Sequence, residues 1–346
     1  MTEPLAEAGV EEVLLDVPPP KRRRRLLWAL AFLVLTGFFT VLVATNTGEL
    51  SDAWGALEHV DAKWLVLAAC VEALSFVANA IAIRALIPAS ADGRAPGILA
   101  LTGITLSGQA VMNVMPAGMT SMWWYSYRRL RRRGVEPAAV TWALLVVGLF
   151  ATVTLAILAL VGAEIEPHDK VPGLRETAIG AIVFLVALGI GVRYLDRWRW
   201  ATEKLERIRR RVARRRDAGP HLRERLRAVR LSRKRFVLAL LATGSVWLFD
   251  GGALALAFPA VHGHISLAAL AVGYTAGQLA TQLPITPGGL GIVEGSITLA
   301  LVALGGKQDE VLPAVLLYRL MAYWAVLPLG AASYALLRRA EVRRPV

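Results

Sequence analysis

Long apolar stretches separated by short polar connections account for most of the chain. Residues 26–45, 64–87, 138–162, 176–195, 236–258 and 311–336 each contain about the 20 apolar residues that a helix needs to cross a bilayer. Two further apolar stretches, 98–127 and 267–304, are interrupted. The first breaks at Met115-Pro116-Ala117-Gly118 and the second at Pro284-Ile285-Thr286-Pro287-Gly288-Gly289-Leu290-Gly291. Proline and glycine at that density end a helix. The piece after the first break, residues 119–127, is too short to cross before Arg128. The pattern therefore predicts an all-α polytopic membrane protein with about six spanning helices and two broken re-entrant hairpins. Backbone broken at membrane depth is tolerated where protein or a wet cavity satisfies its polar groups, so each break points to a site.

Composition agrees with this reading. Of the 346 residues, 56% are hydrophobic and 19% charged, and the mean hydropathy is +0.52. Those values exclude a soluble globular enzyme and a secreted disulfide-built domain. The one cysteine, Cys70, falls inside an apolar run, where a packed, inert thiol is expected. The net charge of +13 sits in blocks beside the apolar runs, at residues 21–25, 128–133, 193–235 and 338–344. Such blocks set topology and attract anionic lipid heads; they do not form the folded basic module of a nucleic-acid binder.

Orientation follows from the same charges. With both termini cytoplasmic, the outer loops hold only Lys63, Lys170, Arg175 and Lys307, and Arg319 lies within a span. The rest of the 39 lysines and arginines then face the cytoplasm. The apolar run at 26–45 is twice a signal-peptide core and follows a 25-residue leader, so it reads as a retained first helix of an inner-membrane protein. Residues 1–25 are expected to be a disordered cytoplasmic tail ending in a basic anchor. Residues 26–162 form a first transmembrane repeat, and 163–195 an outer loop plus the first helix of a second. Residues 196–235 read as an Arg-rich cytoplasmic amphipathic loop, 236–337 as the rest of the second repeat, and 338–346 as a basic tail.

The repeat reading rests on matched segment order with opposite topology, the plan of many secondary transporters. Local echoes accompany it: Gly108-Gln109 then Pro116-x-Gly118 against Gly277-Gln278 then Pro287-Gly288, and Pro137-Ala138-Ala139-Val140 against Pro313-Ala314-Val315-Leu316.

The run Pro287-Gly288-Gly289-Leu290-Gly291-Ile292-Val293-Glu294-Gly295, followed by Ala303-Leu304-Gly305 and Leu317-Tyr318-Arg319-Leu320, resembles the flippase-like transmembrane family that includes the membrane region of lysylphosphatidylglycerol synthases. The resemblance covers about 26–340 and is specific over roughly 277–330. It implies a lipid-handling, lipid-translocating inner-membrane protein. Some relatives carry a soluble aminoacyl-transferase domain after the membrane part; with the chain ending at Val346, that chemistry is expected to be absent. Relatives tend to have an arginine and a glutamate after the first-hairpin proline, where this chain has Ala117-Gly118-Met119-Thr120-Ser121.

Ionisable residues inside a membrane are costly and are functional candidates. Arg319 lies about 12 Å below the outer end of its span at ~1.5 Å per residue, too deep for an end anchor. Its planar donor fork suits a lipid phosphate; alternatively it neutralises Glu294. Glu294, at a helix start after the glycine turn, can cap amides and complement the helix dipole, or pair with Arg319. Gly288, Gly289 and Gly291 permit the turn, and their amides are candidates for an anion nest. Asp250 is a candidate proton carrier, with backbone satisfaction as the alternative. Glu72 and Asn79 share a face of 64–87, as a cavity-lining pair would. Gln109, Asn113, Gln278 and Gln282 flank the breaks, where helix-to-helix hydrogen bonding is expected. Trp123, Trp124, Tyr125 and Tyr127 read as an interfacial belt. The five histidines lie in or beside loops, and His262-x-His264 is too sparse for a metal. No phosphate loop or nucleophile-with-base grouping stands out, so no catalytic residue, metal or cofactor is expected. The expected partners are membrane lipids, phosphate-bearing or polyprenyl-linked, and not nucleic acid. The competing classes are a membrane enzyme acting on a lipid carrier and a scaffold recruiting partners through the Arg-rich loop. The latter leaves Asp250, Glu294 and Arg319 without a role.

Overall fold

Every regular element in the computed structural model is helical among the described residues, which are 60–87, 96–115, 118–165, 232–282 and 286–342. All of these fall in one compact unit, Asp52–Val346. The expected spans at 26–45 and 176–195, the amphipathic loop up to residue 231 and both chain ends lie outside the described residues.

Local chemistry sets the helix limits. Helix α1 (Ala62–Leu86) starts at Asp61, whose carboxylate accepts the Lys63 amide at 2.9 Å. Helix α2 (Ile98–Val114) stops at Met115, which is extended (ψ 142°) as the residue before a proline is biased to be. The return arm is α3 (Gly118–Arg131). A Cβ on Gly118 would run into the Met112 carbonyl, so the tight reversal needs glycine there. Helix α4 (Pro137–Ile165) opens on proline, which suits a first helical position. Helix α5 is Arg233–Ala260. Helix α6 (Leu267–Ala280) is capped by Ser266, whose hydroxyl accepts the Ala269 amide at 3.0 Å. After the second break come a 3-10 turn (Pro287–Gly289) and α7 (Ile292–Ala303). The last span begins as α8 (Gln308–Arg319), widens into a π-turn (Leu320–Ala325) and continues as α9 (Val326–Val342).

Four of these helical stretches are long and apolar enough to cross a membrane: Ala62–Leu86, Ala139–Ile165, Arg233–Ala260 and Gln308–Ala340. The hairpin arms α2, α6 and α7 have 17, 14 and 12 residues, short of the ~20 that a span requires.

The most extensive interface is between α1 and α5. These helices run antiparallel: the Asp61 amide donates to the Ala260 carbonyl at 2.9 Å, and Gly252 lies against Val71. Many of the residues these helices bury are small, including Ala68, Ser75, Ala78 and Ala82 on α1 and Ala239 and Ala242 on α5. In lipid, where tails are as apolar as leucine, close backbone approach of this kind drives helix association. One apolar cluster joins α5 to α6, α7 and α8, and a second joins α1 to α2, α3 and α4. Outward faces carry exposed leucines such as Leu241, Leu248 and Leu299. Trp124, with Arg128 stacked 4.6 Å over its ring, is exposed at the basic end of α3.

One local expectation is corrected. Cys70 is exposed, not packed; Ala68 and Glu72 on either side take the buried face of α1.

Candidate functional site

The site is built on the second break. Gly288, Gly289 and Gly291 all have left-handed backbone, with φ of 59°, 70° and 79°. A side chain would be strained at each. Glycine is also needed for space: a Cβ on Gly288 would overlap the Tyr323 ring and press on the Asn113 backbone. The turn delivers the chain to α7 with Glu294 in its first helical turn. Glu294 Oε2 accepts the Gly291 amide at 2.7 Å, so the expected capping role is present. The Gly289 amide donates to the Thr286 carbonyl at 3.1 Å. Two of the three proposed nest amides are therefore already engaged within the turn.

Arg319 closes the site from α8. Its Nε donates to Glu294 Oε1 at 2.7 Å, its Nη2 to the Gly288 carbonyl at 3.2 Å, and its guanidinium lies 4.7 Å over the Tyr323 ring. The two side chains of the ion pair are 8% and 15% exposed. Among the described residues, Nη1 has no hydrogen-bond partner. The cation thus ties a turn carbonyl and a helix-cap carboxylate together and keeps the Nη1 donors in reserve.

Tyr323 carries the connection to the first break. Its hydroxyl donates to the Asn113 carbonyl at 3.0 Å, and the Asn113 side-chain amide reaches the Tyr323 carbonyl at 3.5 Å. Asn113 is buried and lies just before the end of α2. The two breaks, far apart in sequence, therefore meet across Arg319 and Tyr323. The π-turn that contains Tyr323 begins directly after Arg319. Such turns are found frequently at functional sites.

Asp250 forms a second polar cluster. Tyr274 donates to Oδ2 at 2.7 Å, Gln278 to Oδ2 at 3.0 Å, and Tyr318 to Oδ1 at 2.7 Å. Side chains, not backbone, thus satisfy this carboxylate. Gly251, next in the chain, leaves room for the Tyr274 ring, which lies 3.5 Å from where a Cβ would be. Trp247 backs the same ring edge-on and anchors itself on the Ala151 carbonyl at 2.8 Å. The antiparallel register of α1 and α5 brings Glu72 beside Asp250, close enough for the two carboxyl groups to interact. Glu72 is 6% exposed, and its Oε2 has no partner among the described residues. The neighbouring residues Tyr318 and Arg319 link the clusters, one pointing to Asp250 and the other to Glu294.

The structure thus groups Arg319, Glu294, Gly288, Gly289, Gly291 and Asn113 at one site and Asp250 with Glu72 beside it. Asn79 follows Glu72 along α1, with a buried Oδ1 that has no partner among the described residues. Gln109, partly buried on α2, and Gln282, exposed just past α6, bond to neither cluster among the described residues. Sequence reasoning passed over Tyr274, Tyr318 and Tyr323 and gave Gln278 only a structural role. The available signals were the i, i+4 spacing of Tyr274 and Gln278 and the placement of Tyr318 and Tyr323 around Arg319.

Comparison with known proteins places this arrangement. The chain is 24% identical over 328 residues to a UPF0104 membrane protein of Methanothermobacter thermautotrophicus, covering 88% of this chain and 94% of that one. It is 26% identical over 120 residues to a UPF0104 membrane protein of Methanocaldococcus jannaschii, covering 35% of this chain and 50% of the relative. It is also 36% identical over 90 residues to an uncharacterised protein of Synechocystis, covering 26% of this chain and 27% of that one. The aligned stretches therefore span half or less of the last two relatives. The sequence profile of the lysylphosphatidylglycerol synthase transmembrane region matches residues 26–330, as the resemblance at the second break implied. The chain is a multi-pass membrane protein that belongs to the lysylphosphatidylglycerol synthase transmembrane-region family.

Proposed function

We propose that this protein moves a lipid or lipid-linked substrate with an anionic phosphate head across the cell membrane, by way of its two facing breaks. The observation that carries the reading is Arg319: a buried guanidinium at a helix break, held by Glu294 at 2.7 Å and by a turn carbonyl, with Nη1 in reserve. A fork of this kind can pass from a carboxylate to a phosphate without losing its charge compensation. The family description names a phospholipid, which favours a phosphate-bearing substrate.

The inverted repeat belongs to the same reading, with both termini cytoplasmic and the domain limits given above. Several packing features support it. The matched helices α1 and α5 are antiparallel partners, and the α2–α9 interface has its counterpart in α6–α4. In the first hairpin Gly108 lies where α3 crosses, near Met122 and Ser126; in the second, Gly277 lies where α7 crosses, against Ile297.

Mass spectrometry of lipid retained after purification in a mild detergent tests the reading. A phosphate-bearing lipid should accompany the wild type and be depleted in Arg319→Gln. Equal retention by a well-folded variant would count against it.

A further inference from the structure

Two carboxyl groups face each other inside the membrane-embedded part of the fold, and their surroundings limit what they can bind. The antiparallel register of α1 and α5 sets Glu72 on α1 beside Asp250 on α5, close enough for the two carboxyl groups to interact. Two buried carboxyl groups side by side repel strongly if both are ionised, so the pair favours holding one proton. Asp250 already accepts from Tyr274, Tyr318 and Gln278, which suits the ionised member of the pair and leaves Glu72 as the one that carries the proton. Glu72 Oε2 is buried and has no partner among the described residues, as expected of a neutral carboxyl group and costly for an ionised one. A metal cation fits poorly, since it requires several free oxygen lone pairs. Here three N–H or O–H donors occupy Asp250, and the guanidinium of Arg319 is near enough to interact with it electrostatically.

We propose that Glu72 and Asp250 form a proton-binding site, filled in the state described here, that couples lipid movement to proton entry and release. The coupling rests on the function proposed above; the site itself does not. On loading, a proton adds to the Glu72 carboxylate, and the resulting O–H donates to Asp250. On unloading, it returns to water and leaves two adjacent negative charges. Those charges compete with Glu294 for Arg319, the residue after Tyr318. Drawing the guanidinium toward Asp250 would release the Gly288 turn and the Glu294 cap together. The ionisable groups facing the pair are Tyr274 on α6 and Tyr318 and Arg319 on α8, with Glu294 on α7 behind Arg319. Helix α2 carries no ionisable residue, helix α4 only Glu164 near its C-terminal end, and the π-turn only Tyr323.

Infrared difference spectroscopy on the purified full-length protein tests the site without requiring lipid movement. A protonated-carboxyl stretching band should persist near neutral pH in the wild type and be lost in Glu72→Gln. Exchanging choline chloride for sodium chloride should not change it. Absence of the band, or its loss on adding sodium, overturns the proposal, the second outcome in favour of a cation site. The coupling is read in proteoliposomes containing a fluorescent phosphatidylglycerol. An imposed pH step should change the wild-type rate by up to about tenfold per pH unit, the limit for one proton. Glu72→Gln keeps a donor to Asp250 and should respond less than twofold. A wild-type rate indifferent to the pH step overturns the coupling. If no lipid moves under any condition, the lipid reading fails, and the infrared band alone decides the proton site.

Discussion

Replacing Arg319 with glutamine tests whether the ion pair with Glu294 supports the second break. Both side chains are largely buried and the bond is short, 2.7 Å. Removing one partner of a buried pair typically costs about 3–5 kcal/mol, because the other charge is left uncompensated. Two features lower the figure for Arg319→Gln. Glu294 keeps the Gly291 amide, and it lies in the first turn of α7, where the helix dipole favours an anion by about 0.3–1 kcal/mol. A loss of about 2–4 kcal/mol follows. Glu294→Gln leaves the cation with only the Gly288 carbonyl and the Tyr323 ring among described partners, so its cost lies nearer about 3–5 kcal/mol. The double variant leaves no unpaired charge and should cost less than either single change. Unfolding of the purified proteins in mixed micelles, followed by tryptophan fluorescence, measures all three. Additivity of the two single changes to within about 0.5 kcal/mol would refute the coupling, because residues in contact should deviate from additivity.

Three further outcomes follow from the same geometry. Gly288→Ala should be strongly destabilising, since it meets both a φ of 59° and the Tyr323 ring, whereas Gly295→Ala faces open space and should be neutral or stabilising by up to about 1 kcal/mol; thermal unfolding in detergent compares them. Tyr318→Phe and Tyr274→Phe each remove a donor to Asp250 and should cost about 1–3 kcal/mol in the same measurement, while Tyr334→Phe, on the exposed face of α9, should not. For topology, cysteines at Gly48 and at the exposed Lys307 should react with an impermeant thiol reagent from outside intact cells, and one at Gly219 should not. Cys70 is exposed and must first become serine, and labelling at Gly219 would overturn the orientation.

Much of the fold could be read from the sequence because its determinants are local. The apolar runs, the pre-proline stop at Met115 and the glycines of the second turn each act within a few residues. The Glu294 cap was legible for the same reason: its partner amide is three residues away. The pairing of Arg319 with Glu294 was open to view only as an alternative, since spacing cannot choose between a phosphate and a carboxylate. The Asp250 cluster was not legible, because it depends on four helices. It needs the antiparallel register of α1 and α5 to bring in Glu72, and the crossing of α6 and α8 to bring in Tyr274 and Tyr318. The π-turn after Arg319 was missed for a related reason. Residues 311–336 are continuously apolar around Arg319, and a π-turn leaves no trace in apolar periodicity. Cys70 misled because a cysteine in an apolar run is ordinarily buried in protein, whereas a membrane helix exposes apolar faces to lipid.

The central claim is that lipid crosses at the meeting of the two breaks with Arg319 holding its phosphate. Proteoliposomes carrying a head-labelled fluorescent phosphatidylglycerol, with outer-leaflet fluorescence quenched by dithionite, test it most directly. Wild-type protein should expose the inner-leaflet label to the quencher; Arg319→Lys should be partly defective, keeping the charge but losing the fork; and Arg319→Gln together with Glu294→Gln should stay inactive despite normal folding. Full movement by that double variant would contradict the claim and leave Arg319 a structural counter-charge.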